Sequence, residues 1–366
     1  MAKRVSRSGF SAVAIVAPVP PPIGGMSLQG QALRENLQRE QIDVVLIATN
    51  PPLPPSLARL RGVRTLLQTL LFLGSLARNL PRVGVVHILA ASYFFFFARV
   101  LPAVVIARLL GVRVVLNYRG GEAPRFIAKF GLLVRPVLRF ASIIVVPSAY
   151  LERCFLEHGI ACAIVPNLID LDRFKFRQRK HVQPSFLVSR NLEPMYNIQM
   201  ALRAFELVKR RHSNAVVHVV GTGSEEKALK SWAESRHLKD VFFHGAVPNE
   251  CMPEYYFNAD ILLNSSYIDN LPINLLEAFA SGVPVISTNV GGIPDLVGDE
   301  DAALLVEAND HRAMAQKIES LLNNPGLVAE LTLLARQRAA SYSWHHVREK
   351  LLETYFPQAP LFPYDH

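Results

Sequence analysis

Asp269-Asn270-Leu271-Pro272-Ile273-Asn274-Leu275-Leu276-Glu277-Ala278-Phe279-Ala280-Ser281-Gly282-Val283-Pro284-Val285-Ile286 is the stretch on which the fold turns. Ahead of it, Ile261-Leu262-Leu263 is an apolar run that ends at Asn264, and residues 283–286 form another that ends at Ser287. Strands that are apolar on both faces belong to parallel sheets covered by helices on both sides. Between the two runs the spacing predicts a helix over 272–281, with Pro272 in its first turn, where the fixed φ of proline is already helical. The start of such a helix offers free backbone N–H groups and a positive dipole end, a natural seat for a diphosphate. Glu277 falls in the second turn, placed to meet a neutral hydroxyl such as that of a ribose, and Asp269 sits on the loop ahead of the helix.

Working outward, the same alternation of short β-branched runs and longer amphipathic segments occurs twice. In the first half strands are expected at 12–17, 43–48, 83–89, 113–117, 142–147 and 163–166, with helices over 29–40, 93–110 and 125–140. In the second half strands are expected at 185–189, 215–220, 241–243, 261–264, 283–287 and 302–306. Helices there are expected over 198–211, 225–235, 272–281 and 311–323, followed by 326–340 and 344–355. Residues 172–183, carrying Arg173, Lys175, Arg177, Arg179, Lys180 and His181 without an apolar period, read as the interdomain linker. The expected organisation is therefore an α/β chain of two Rossmann-like parallel-sheet domains, 1–175 and 176–342, facing each other across a cleft. Residues 343–366 form a terminal helix that packs back on the first domain. In open parallel sheets ligands gather at the carboxyl ends of the strands.

A length of 366 residues suits two cores better than one. With 50% hydrophobic and 19% charged residues the chain buries enough apolar surface to fold. Cys154, Cys162 and Cys251 lack metal-ligand spacing and read as reduced packing residues in a cytoplasmic protein. No metal site is expected. Residues 1–9 carry Lys3, Arg4 and Arg7 ahead of an apolar run, but that run is short and flows into Pro18 and Pro20-Pro21-Pro22, so it reads as a first strand and not a signal peptide. Residues 83–111 approach the length of a membrane span, yet Arg99, Arg108, His87 and Ser92 interrupt them; a buried strand followed by a helix is expected.

Charge is divided unevenly. Residues 1–180 hold 24 Lys/Arg and 8 Asp/Glu (24 − 8 = +16), and residues 181–366 hold 15 and 22 (15 − 22 = −7), giving the total of +9. Between residues 51 and 140, thirteen Lys/Arg face only Glu122. Interleaved apolar runs such as Leu66-Leu67, 70–73 and 94–97 suit peripheral contact with an anionic bilayer. A helical core face with a solvated basic surface fits the same pattern. No nucleic-acid-binding motif accompanies the charge.

The acid at 269, the acid at 277 and the following Ala-Phe-Ala-Ser-Gly-Val-Pro-Val-Ile, with Asn289-Val290-Gly291-Gly292-Ile293-Pro294-Asp295-Leu296-Val297 in register behind them, resemble the donor-site signature of glycosyltransferase family 4. The resemblance extends over most of the chain and implies a GT-B fold. It also implies a nucleotide diphosphate sugar as co-substrate, transfer with retention of anomeric configuration, and no requirement for a metal or other cofactor. By it, Glu277 binds the donor ribose and Asp269 contacts the transferred sugar, where the family usually has glutamate. Arg190, at the end of a strand, stabilises the leaving diphosphate. The lysine that commonly follows this arginine is replaced: Tyr196 stands in its place. Arg190, Asp269 and Glu277 are thus the candidate catalytic residues. Asn270, Leu271, Asn274 and Leu275 complete the donor-binding segment.

Gly221 and Gly223 follow a strand where backbone can approach a phosphate, and Gly245 and Val247 resemble the loop under the nucleotide base, beside His244. Gly24 and Gly25 resemble the family's glycine loop near the donor phosphates and the acceptor. Arg119 and Glu122, at the end of another strand where many relatives have histidine, are candidates for acceptor binding. His87 takes a structural reading. Residues 164–174 resemble the family's segment ahead of the linker, with Leu168 in place of glycine. The function implied is transfer of a hexose to a glycan or lipid-linked saccharide in cell-surface polysaccharide or lipopolysaccharide synthesis, at the inner face of a membrane. Asp269 and Tyr196 leave open a second reading, a relative that binds sugar nucleotide without turnover.

Overall fold

The computed structural model describes residues 11–21, 24–58, 61–298 and 302–357. The chain divides into two compact units, Met1–Leu168 with Val347–His366, and Ile169–His346. The first contains six parallel strands: β1 (Val13–Ala17), β2 (Val44–Ala48), β3 (Val85–Ala90), β4 (Arg113–Tyr118), β5 (Ile143–Val146) and β6 (Ala163–Ile164), ordered β2-β1-β3-β4-β5-β6. The second contains β7 (Ser185–Ser189), β8 (Val216–Val220), β9 (Val241–Gly245), β10 (Ile261–Asn264), β11 (Val285–Thr288) and β12 (Leu304–Val306), ordered β12-β11-β10-β7-β8-β9. Every pairing is parallel. β1 is buried at all five positions and β10 at all four, as expected of strands covered on both faces.

In each sheet the order reverses once, between β1 and β3 in the first unit and between β7 and β10 in the second. At such a reversal the connections leave to opposite faces, opening a crevice at the carboxyl ends of the strands. Gly24 follows β1, Arg190 follows β7, and the loop to Asp269 follows β10.

The apolar stretch after residue 83 resolves into β3 and a helical run through Tyr93–Phe95, Phe96–Val100 and Leu101–Leu109. Arg99 is buried in it, its Nη1 donating to Thr69 Oγ1 at 2.8 Å and its guanidinium 5.4 Å from the Phe72 ring centre. Among the described residues no helix is long and apolar enough to cross a membrane. The apolar runs at 66–73 belong to a helix, Arg61–Asn79, which buries Phe72 and Leu76 and exposes Val63, Leu66, Leu70 and Leu71.

Two expectations are corrected. The stretch 172–183 is no free linker. Phe174 is buried, Arg177 pairs with Asp260 at 2.7 Å, and Arg179 is 3% exposed. Arg179 donates to the carbonyls of Tyr256, Phe257 and Ala259 (3.0, 3.0 and 2.7 Å) and of Ser281 and Gly282 (3.0 and 2.6 Å). These are the last turns of helices Met252–Asn258 and Ile273–Ser281, so one guanidinium closes two helix C-termini, where orphan carbonyls and a negative dipole end favour a cation. Burial lowers its pKa to about 10, which leaves it charged. The charge run reads as a linker in the sequence because these carbonyl partners lie roughly 80–100 residues away along the chain. The second correction concerns Cys251: Cys154 is buried, but Cys251 is exposed and does not pack.

The terminal helix, Trp344–Tyr355, belongs to the first unit from Val347 on. Tyr355 is fully buried there, with its hydroxyl 2.8 Å from His87 Nδ1, while Asn117 Nδ2 lies 3.1 Å from Nε2. Burial holds the His87 pKa down to about 3, with Arg119 adding to the effect, so the imidazole is neutral.

Candidate active site

The second unit's crevice is furnished by three loops. After β7, Arg190 N donates to Val220 O (3.0 Å) and Leu192 N to Thr222 O (2.9 Å), fixing the turn on β8. After β8, Gly221 has φ +138, and a Cβ on it would meet the Arg190 carbonyl oxygen at 1.9 Å. Gly221 therefore has a packing reason of its own, close approach of two loop backbones. After β10, Ser265 Oγ donates to Tyr196 O (3.1 Å) and Tyr267 N to Met195 O (2.8 Å), tying this loop to the turn that carries Tyr196.

Pro272 precedes helix Ile273–Ser281, and Gly282 ends it in the left-handed region at φ +69. Leu271 and Leu275 turn into the core, and Leu275 N donates to Pro272 O at 3.3 Å. Asn274 is 6% exposed and its Oδ1 accepts from Arg190 Nη1 at 3.3 Å. Arg190 Nη2 forms an ion pair with Asp269 Oδ2, and the guanidinium lies 4.0 Å from the centre of the Tyr196 ring, a cation–π stack. Asp269 also accepts from Asn270 N at 2.9 Å. Burial raises the Asp269 pKa against the opposing pull of Arg190 and these hydrogen bonds.

Arg190 Nε and Asn274 Nδ2 are buried N–H donors without a hydrogen-bond partner among the described residues. Buried donors are ordinarily satisfied, because leaving one unpaired costs about 1–3 kcal/mol. Two together beside a helix N-terminus match an acceptor-rich, anionic guest.

Glu277 is 7% exposed and accepts from the Tyr256 hydroxyl at 2.7 Å. Burial pushes its pKa up to about 7, and the Tyr256 hydrogen bond and the charge of Arg173 pull the other way. Tyr256 was not legible as a site residue: it sits 21 residues upstream, on the inward face of a separate helix. Ser266 was also missed, its Oγ 3.3 Å from Asp269 Oδ2.

The glycine pair behind the signature serves the same loop. Gly291 has φ +58, and a Cβ there would meet the Asp269 carbonyl oxygen at 1.8 Å, while Gly292 N donates to that oxygen at 3.1 Å. Gly291-Gly292 thus sets the height of Asp269. Gly245, φ +68, accepts from Gly221 N at 2.8 Å, and Val247 is partly buried against the core. His244 is exposed, 2.9 Å from His218 Nδ1 and 3.3 Å from the Tyr255 hydroxyl.

In the first unit Gly24 caps helix Gly25–Arg39 through Ser27: Gly24 N donates to Ser27 Oγ (3.0 Å), which donates to Gly24 O (2.8 Å). A Cβ on Gly24 would meet nothing, leaving the position open to a ligand. Pro22 and Ile23 lie outside the described residues. Glu122 pairs with Arg125 at 3.6 Å and remains partly exposed. Arg119 donates to the Asn167 side chain.

Two parallel six-stranded sheets with flanking helices, the second bearing an acid-and-arginine crevice at its switch point, define an α/β protein of the GT-B class. Residues 171–340 match the family Glycosyl transferases group 1 and residues 4–173 match Glycosyltransferase Family 4. The chain belongs to the family 4 glycosyltransferases. A D-inositol 3-phosphate glycosyltransferase of Rhodococcus jostii is 33% identical over 113 residues, 31% of this chain and 25% of the relative. The sulfoquinovosyl transferase of Arabidopsis thaliana is 23% identical over 286 residues, 72% of this chain and 55% of the relative. The chain thus spans between a quarter and just over half of these curated relatives. Among solved structures, sucrose-phosphate synthase of Thermosynechococcus elongatus superposes with a TM-score of 0.73 at 17% identity, covering 94% of this chain and 98% of the other. The Anabaena HepE protein in complex with UDP gives 0.70 at 15% identity, covering 94% and 99%.

Proposed function

We propose that this protein moves a sugar from a nucleotide diphosphate sugar to a glycan or lipid-linked saccharide, retaining anomeric configuration. The observation that carries the reading is the pair of unpartnered buried donors, Arg190 Nε and Asn274 Nδ2, beside the start of helix Ile273–Ser281. With Arg190 they supply positive charge and N–H groups where a diphosphate leaving group develops charge, so no metal ion or other cofactor is required in this scheme. Glu277 takes the ribose hydroxyls, Asp269 the hydroxyls of the transferred sugar, and the backbone of Gly245 and Val247 the base. Gly24, Gly25, Gly221, Gly223, Tyr196, Asn270, Leu271 and Leu275 line the donor. Attack comes on the face from which the diphosphate leaves, whose oxygen accepts the acceptor proton. The second unit holds the donor; the first, through Arg119 and Glu122, holds the acceptor.

The basic first unit supports an acceptor presented at an anionic membrane, in surface polysaccharide or lipopolysaccharide synthesis on the cytoplasmic side. Leu66, Leu70 and Leu71 are exposed on helix Arg61–Asn79, and Leu132, Leu133 and Phe140 are exposed with Arg125, Lys129, Arg135 and Arg139 on and after helix Ala123–Arg139. Leucines with cations beside them suit an interface rich in anionic lipid. Flotation with liposomes that is indifferent to anionic lipid would remove this part.

A binding-only relative draws support from Arg190, whose guanidinium is engaged by Asp269 and Tyr196. Thermal stabilisation by UDP, GDP, ADP and TDP, with Glu277→Ala and Arg190→Gln as controls, tests the donor site. A shift with one nucleotide that both variants lose is expected, and no shift with any would overturn the assignment. Donor hydrolysis or transfer then separates an enzyme from a binding protein.

A further inference from the structure

Tyr256 is fully buried on helix Met252–Asn258, its ring set edge-on against Phe174 with centres 5.8 Å apart. Its hydroxyl donates to Glu277 Oε2 at 2.7 Å and lies 3.3 Å from Ser189 Oγ, at the end of β7 and one residue before Arg190. Burial raises the Tyr256 pKa well above its ordinary value, and the charge of Glu277 adds to the effect, so the hydroxyl keeps its proton through neutral pH. A phenol has one proton to give, and the shorter contact gives it to the carboxyl group.

That hydrogen bond divides the two oxygens of Glu277. Oε2 is occupied. Oε1 accepts from nothing among the described residues, and it is not sealed from solvent as the partnerless Asn274 Nδ2 is. Asn274 stands three residues earlier in the same helix and on the same face, and its Oδ1 is tied to Arg190 at 3.3 Å. The open oxygen therefore lies on the face that Arg190 and Asn274 furnish. A free glutamate turns about all its side-chain bonds; here the contact with an immobile ring fixes the last of them.

We propose that Tyr256 is a positioning residue for nucleotide recognition: by holding Glu277 Oε2 it turns Oε1, as an acceptor, toward the ribose hydroxyls and makes the site select ribonucleotides over 2′-deoxyribonucleotides. This rests on the reading of the second unit as the donor site. A fixed acceptor is satisfied by a hydroxyl and left unpaired by a hydrogen, which is how a site rejects an analogue lacking the group. The selection depends on ionisation, because only the carboxylate is purely an acceptor. Burial pushes the Glu277 pKa up to about 7, while the Tyr256 hydrogen bond and the charge of Arg173 pull it down; Arg190 faces Tyr256 from the end of β7. Removing the Tyr256 hydroxyl raises the Glu277 pKa, so ribose selection then sets in at higher pH.

The test is calorimetric titration of the full chain with UDP, GDP and ADP, each beside its 2′-deoxy counterpart, from pH 6 to 8 in the wild type, Tyr256→Phe and Glu277→Gln. In the wild type the nucleotide that binds is expected to exceed its 2′-deoxy form about tenfold in affinity at pH 8, and by less at pH 6. Tyr256→Phe is expected to reduce that preference several-fold at pH 7 and to move its midpoint upward. In Glu277→Gln the preference no longer changes with pH. A tyrosine that served packing alone would, on replacement by phenylalanine, weaken both nucleotide forms by the same factor and leave the midpoint in place; that result overturns the proposal. Binding without any ribose preference in the wild type overturns it alone, whereas a wild type that binds none of the nucleotides overturns the donor reading and the proposal with it. Should Tyr256→Phe fail to fold, carbon-13 labelling at tyrosine Cζ reads the same contact in the wild type. One of the ten tyrosines is expected to titrate near pH 7, to lose that step in Glu277→Gln, and to shift more with the ribonucleotide than with its 2′-deoxy form. The absence of such a signal overturns the proposal.

Discussion

Replacing Glu277 by glutamine tests the buried acid through the pH dependence of stability. The carboxyl rises from an ordinary 4.5 to about 7 in the folded protein. A raised folded pKa means that the fold binds the proton more tightly than the unfolded chain. Glu277 therefore contributes stability that is fully present below pH 4.5 and is lost as pH rises through 7. At about 1.36 kcal/mol for each tenfold change in proton affinity, the rise from 4.5 to about 7 corresponds to about 3 kcal/mol over the whole titration. The group is 7% exposed, so solvent screening takes little from this figure. Urea denaturation of wild type and Glu277→Gln at pH 5, 6, 7 and 8 reads the effect as a difference, in which other titrating groups cancel. The wild type is expected to lose about 2.5 kcal/mol relative to the variant between pH 5 and 8, most of it below 7. Tyr256→Phe removes the hydroxyl that favours the carboxylate, so the folded pKa climbs further and the loss extends to higher pH. Parallel wild-type and variant profiles would refute the reasoning, for they would mean that Glu277 ionises in the fold as it does in water.

Arg179→Met removes a donor from five carbonyls at two helix ends; Ser281 O keeps Arg177 N at 3.2 Å and Ala259 O keeps Arg177 Nη2 at 3.5 Å, which leaves those of Tyr256, Phe257 and Gly282. At about 1–3 kcal/mol for each buried acceptor left unpaired, a loss of at least about 3 kcal/mol in denaturant midpoint experiments is expected. Gly291→Ala puts a Cβ 1.8 Å from the Asp269 carbonyl oxygen in left-handed backbone, so a cost of about 1–3 kcal/mol from the backbone alone is expected, together with loss of nucleotide-dependent stabilisation. Asp269→Asn releases Arg190 from its ion pair, and calorimetry should show nucleotide affinity retained or raised while transfer falls; Arg190→Gln should lose both. Combined in one chain, the two changes should be non-additive by about 0.5–3 kcal/mol, as for residues in contact.

Periodicity made the sheets legible. Runs such as residues 261–263 and 283–286 are apolar without alternation, and only burial on both faces asks that of a strand. The loop between them carried the acids and the proline that opens the helix, so the helix start and its flanking acids were legible from local spacing, while the roles of Asp269 and Glu277 are what the family resemblance implies. The glycines were visible as glycines, but their reason was not: Gly221 and Gly291 answer to the carbonyls of Arg190 and Asp269, on other loops. Partners drawn from distant elements stayed hidden for the same cause. Tyr256 reaches Glu277, Tyr196 lies under Arg190, and Arg179 closes two helices, each through contacts that no period in the chain encodes. The sequence by itself determined the element pattern and the residue types at the strand ends, because both follow from local periodicity and turn chemistry. Which of those residues are paired, which donors stay unmatched and which charges lack a counter-charge was decided only by the tertiary structure, because burial and electrostatics depend on neighbours that folding brings together.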